Sequence, residues 1–150
     1  MKRKFLSVFA GLLFPLCSFS SISNSFSENS IPLEWTGDCS RFLITEDNWL
    51  QLNDPDKLGK SYVAFSSTAM NNAEWSLTME LQFRPSSSNY MRFFLCSDSP
   101  VLSEALNGYF LQVGNTNRQI LLYRMSNGST KILGRSVEER LDRSSISLSV

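Results

Sequence analysis

The side chains in this sequence that can do chemistry are few, and their spacing limits what they can do together. Its 150 residues contain no His, which removes the commonest general base and the commonest metal ligand. Acid and base work would fall to carboxylates, Lys, Tyr or Cys. Glu74 and Glu80 flank one alternating stretch. At roughly 3.3 Å per extended residue they stand about 20 Å apart, beyond the separation that either glycosidase mechanism needs. Asp98 and Glu104 form a second acidic pair that would have to meet across a loop, where a solvated turn is the ordinary outcome. No catalytic residue is assigned. The reading is a non-enzymatic binding or scaffold module, with a glycan-active hydrolase or lyase as the alternative.

The remaining candidates are binding residues. Trp35 and Trp49 lie near turn signals; each either stacks on a sugar ring or is buried between sheets. Asp54 and Asp56, with the carbonyls of residues 53–58, offer oxygens to calcium, but the loop lacks the EF-hand spacing and reads more simply as a solvated turn. No other cofactor is expected, and no Cys or His spacing fits zinc. Cys39 and Cys96 could form one disulfide in an oxidising compartment, or serve as small buried hydrophobes. Asn127-Gly128-Ser129 matches a glycosylation sequon and, more simply, a hairpin turn.

The elements that must position these residues are strands. From Trp75 to Phe83, Trp75, Leu77, Met79, Leu81 and Phe83 alternate with Ser76, Thr78, Glu80 and Gln82, so an extended backbone is apolar on one side. Pro85 and the polar run 86–89 separate it from the aromatic-rich run 90–96, and the two read as adjacent antiparallel strands. Further strands are expected over 41–45, 49–52, 61–66, 108–113, 119–125, 130–133 and 145–150. Residues 98–107 have room for one helical turn. Nine or ten short strands with frequent turn signals predict an all-β, antiparallel sandwich. Trp75, Leu77, Met79, Leu81 and Phe83 are expected to pack against Phe93, Leu95, Tyr109, Leu111 and Leu122. The run 145–150 looks like a strand lacking a partner, from which the chain is expected to be a piece of a longer protein, its sandwich incomplete at the C-terminus.

The first 20 residues differ in kind. Lys2, Arg3 and Lys4 precede the apolar run 5–16, which is short for a bilayer span and fits a secretory signal peptide cleaved near Ser20. Cys17 lacks the small preceding residues that lipidation prefers. Residues 21–33 read as a flexible lead-in and 34–150 as the domain. The chain carries 14 basic and 14 acidic residues. Loss of the three leading cations leaves 11 against 14, a net of −3, and no basic stripe for nucleic acid stands out. The expected location is the periplasm, the cell surface or the medium, with membrane contact only during export.

The runs EWSLTMELQFRPSSSNYMRFFLCSDSPVL, LNGYFLQVG and ILLYRMSNG resemble concanavalin A-like jelly rolls of the laminin-G-like type. More narrowly, they resemble the amino-terminal sandwich of exported Bacteroidetes surface proteins that often carry a lamin-tail domain. The resemblance implies a jelly-roll fold and a carbohydrate or surface protein as partner. It does not choose among lectin, hydrolase, calcium-binding and spacer roles. The E-x-D-x-x-E pattern of the hydrolytic relatives is missing here.

Overall fold

A computed structural model describes residues 26, 28–54, 59–67, 73–102 and 105–137, with the backbone alone of 145–149. The expected signal peptide, Ser21–Ser25 of the lead-in, Asp56, Glu104 and Val150 lie outside the described residues. The described chain contains ten strands, all paired antiparallel, and a single 3-10 turn (Cys39–Arg41) as its only helix. Four of the strands are short and form two pairs. β1 (Thr36–Gly37) pairs with β4 (Val63–Ala64), and β2 (Phe42–Ile44) with β3 (Leu50–Leu52).

The main sheet has the order β6 (Met91–Ser97), β7 (Gly108–Val113), β8 (Ile120–Ser126), β9 (Ser129–Arg135). Each strand follows its neighbour in sequence, so tight turns suffice to connect most of them. Asn127 and Gly128 both adopt positive φ, 46° and 76°, as the β8–β9 hairpin requires. Register puts Met91, Val113 and Ile120 in one row and Phe93, Leu111 and Leu122 in the next, all on one face. Phe94, Phe110, Tyr123 and Ile132 form a row on the other face.

The alternating stretch becomes β5 (Ser76–Glu80), with Met79 buried and Ser76, Thr78 and Glu80 exposed. Contrary to the expectation from the sequence, it does not pair with the strand that follows it. Its partner is β10 (Ser145–Ser149), through five residue pairs from Ser76↔Ser149 to Glu80↔Ser145. Met79 and Leu81 instead bury themselves against Val113 of the main sheet, with Leu77, Phe83, Met91 and Ile120 around them. Trp75 meets Phe93 edge to face, ring centroids 6.0 Å apart. The reason is burial. A hairpin would set β5 beside β6 and leave both apolar faces wet, whereas layering removes them from water at roughly 1.5–3 kcal/mol for each large side chain. The expectation that the last strand lacks a partner is corrected by the same pairing.

Tyr109, expected in that core, stands 41% exposed. Residues 98–102 and 105–107 contain no helix. Leu102 and Leu106 from this connection pack on the other face of the sheet, over Phe110 and Met125. That second core is aromatic. Phe110 stacks on Tyr123 at 4.9 Å and lies 5.0 Å from Phe94, while the Arg92 guanidinium sits 4.8 Å above the Phe110 ring centre.

Candidate functional site

Trp49 is the most accessible of the expected binding residues. The β2–β3 connection turns at Asn48, whose φ is 62°. The turn closes through the Thr45 amide, which donates to the Trp49 carbonyl at 2.9 Å, and the Trp49 amide, which donates to Thr45 Oγ1 at 3.1 Å. These bonds fix the turn at which Trp49 stands 38% exposed. Gln51 Nε2 donates to Gln82 Oε1 at 3.1 Å, which ties this hairpin to the segment after β5.

Trp35 is placed differently. Its ring stacks on Phe65 at 5.2 Å with 26° between planes, and Phe26 meets it edge to face at 5.7 Å. The protein's own rings use the surface that a sugar would need. The two tryptophans therefore do not form one site.

The carboxylates resolve into structural partners. The Tyr62 amide donates to Asp38 Oδ2 at 3.2 Å. Arg41 Nε lies 3.5 Å from Asp54 Oδ2, Arg41 Nη1 lies 3.9 Å from Asp38 Oδ1, and Arg41 Nη1 donates to Ser61 Oγ at 3.1 Å. One guanidinium thus joins the 3-10 turn, the end of β3 and the approach to β4. A cation at Asp54 would have to displace it, which opposes the calcium reading electrostatically. No group of three Cys, Asp or Glu side chains able to hold a metal occurs among the described residues. Cys39 and Cys96 are both free thiols, with Cys39 Sγ 3.7 Å from the Trp35 carbonyl.

Asp98 does not meet a second acid among the described residues. Its carboxylate accepts from the Asn107 amide at 2.9 Å and from Asn107 Nδ2 at 2.6 Å, and Asn107 Oδ1 accepts from the Asn127 amide at 2.9 Å. The Asn107 side chain so latches the β6–β7 connection to the tip of the β8–β9 hairpin. The side-chain bond from Asn107, then its backbone bond, holds the Asp98 carboxyl below the ordinary carboxylate value. In the sequence Asn107, before Gly108, signals only a turn. Because the folded value is lowered, the latch stabilises the fold above the ordinary carboxylate value of about 3.9. That stabilisation is lost as pH falls through the lowered value. Asp98→Asn should remove this share of the acid sensitivity, measured as the pH dependence of the urea midpoint below about pH 4. An unchanged acid slope would contradict the latch.

No protein family, curated protein or solved structure matches this chain.

Proposed function

We propose that this chain is an exported, non-catalytic jelly-roll module of the concanavalin A-like type that binds a carbohydrate or a surface protein, or holds neighbouring domains in place. What carries the reading is the use made of its acidic groups: Asp38, Asp54 and Asp98 are each tied into the fold by amides or by Arg41. Glu80 ends β5 and Glu74 lies two residues before its start, so an extended strand separates them. Trp49 supplies an exposed ring on a closed hairpin, suited to stacking. Export rests on the basic and apolar leader.

The test is retention of the exported protein on insoluble and soluble polysaccharides, with reducing ends measured in the same tubes. Saturable retention without new reducing ends is expected, and Trp49→Ala should weaken it roughly 2- to 10-fold if the indole stacks on the ligand. Release of reducing ends above the blank would overturn the non-catalytic reading and return the hydrolase or lyase. N-terminal mass spectrometry checks export, with an intact Met1 on the exported protein as the contrary result.

A further inference from the structure

The outer edge of β9 is an unfinished surface. β9 ends the main sheet, and among the described residues no strand lies beyond it. All of its seven residues except Gly134 are exposed, including Ile132 at 38% and Leu133 at 48%. Two cross-strand rows run out to this edge. The first is Tyr109, Arg124, Lys131. The second is Phe94, Phe110, Tyr123, Ile132, an apolar row whose last member is wet.

The first row carries an electrostatic cost. Arg124 and Lys131 are direct cross-strand neighbours, and like charges so placed are destabilising. Neither has an ion pair among the described residues. Residues 105–137 include Arg118, Arg124, Lys131 and Arg135 and no Asp or Glu, with Glu104 before this span and Glu138 and Glu139 after it. Cations on an edge strand keep identical edges apart: a second copy would bring the same lysine and arginine and add to the repulsion. An acidic strand would do the opposite.

We propose that the β9 edge takes up an extended segment of a partner protein in which an acidic residue is followed or preceded by an apolar one. Adjacent residues of a strand face opposite sides of a sheet. The acidic residue would extend the row ending at Lys131 and neutralise it; its apolar neighbour would extend the row ending at Ile132 and cover it. Main-chain hydrogen bonds to the free edge supply affinity, and the two rows supply selection. The register irregularity that leaves Leu133 out of the ladder divides β9 into Ser129–Ile132 and Gly134–Arg135, so the longest uninterrupted stretch is Ser129–Ile132 and the segment recognised is short. This names a partner for the binding role proposed above and rests on that role, with protein as the ligand.

The probe is a synthetic peptide of alternating Glu and Val, compared with a Lys and Val peptide and with a Glu and Val peptide interrupted by Pro. Binding to the full chain is followed by fluorescence titration and by amide hydrogen exchange. The Glu peptide should bind and slow exchange within Ser129–Ile132, and the Pro peptide should not. Lys131→Glu, an exposed change that relieves the repulsion with Arg124 and should hold or slightly raise the melting temperature, should weaken the Glu peptide about fivefold and strengthen the Lys peptide. Equal binding of Glu and Lys peptides, or binding without protection of β9, overturns the proposal. So does a dimer in solution that protects β9 by itself, or a polyuronate that binds through Lys131 without protecting it. Retention on polysaccharides alongside peptide indifference would defeat this inference and leave the general binding role standing.

Discussion

Phe110→Ala should lower the unfolding free energy by about 3–5 kcal/mol, the largest effect expected of any single substitution in this chain. Phe110 is fully buried and makes three ring-face contacts: the stack on Tyr123, the tilted contact with Phe94 and the Arg92 guanidinium above it. Truncation would remove all three and leave a cavity bounded by Leu106 and Met125. The neighbours cannot easily collapse into it, because Phe94 and Tyr123 are held by ladders on either side of β7. Ile132→Ala, at the exposed end of the same row, supplies the comparison and should cost about 0.5 kcal/mol or less. Urea unfolding of both variants checks the pair. Similar losses would mean that the aromatic row is not a core.

Gly114→Ala should cost about 2–4 kcal/mol, from two separate causes. Gly114 has a φ of +97°, which an L side chain rarely adopts, and a Cβ there would lie 2.9 Å from Cβ of Pro85. Pro85 is buried and cannot swing away. It opens the turn between β5 and β6, which is closed by the Ser86 amide donating to the Asn89 carbonyl at 2.9 Å. The close approach of Gly114 to Pro85 thus fixes where the chain leaves one layer for the other. Gly134→Ala is the control, since a Cβ there meets nothing within 4 Å; it should be neutral or slightly stabilising, as alanine in place of a strand glycine usually is. A Gly114→Ala protein as stable as the parent would contradict the tight layer crossing.

Local pattern was enough to find most elements. The runs at 108–113 and 119–125 and the Asn127-Gly128 turn appear within a residue or two of where alternation and turn chemistry put them, because each is decided by neighbours in sequence. Pairing was not legible for β5. Five apolar residues at period two say that one face is buried but not what buries it, and the nearest strand in sequence was the wrong partner. That choice depends on the total apolar area covered, a property of the assembled layers. The candidate site shows the same division. Trp35 and Trp49 are alike in composition and context, yet Phe26 and Phe65 occupy the ring of one and leave the other outward. Asn107 gained its role only when two connections met at one end of the sheet.

The placement of β5 in the second layer buries Met79 and Leu81 against the main sheet and leaves Ser76, Thr78 and Glu80 exposed. Backbone nuclear Overhauser contacts of the isotope-labelled protein test it directly. Contacts between Thr78 and Ser147 and between Met79 and Ile146, the observed register partners, with ring contacts from Trp75 to Phe93, are the expected result. Backbone contacts from Ser76–Glu80 to Met91–Ser97 would place β5 beside β6 in one sheet and contradict the account.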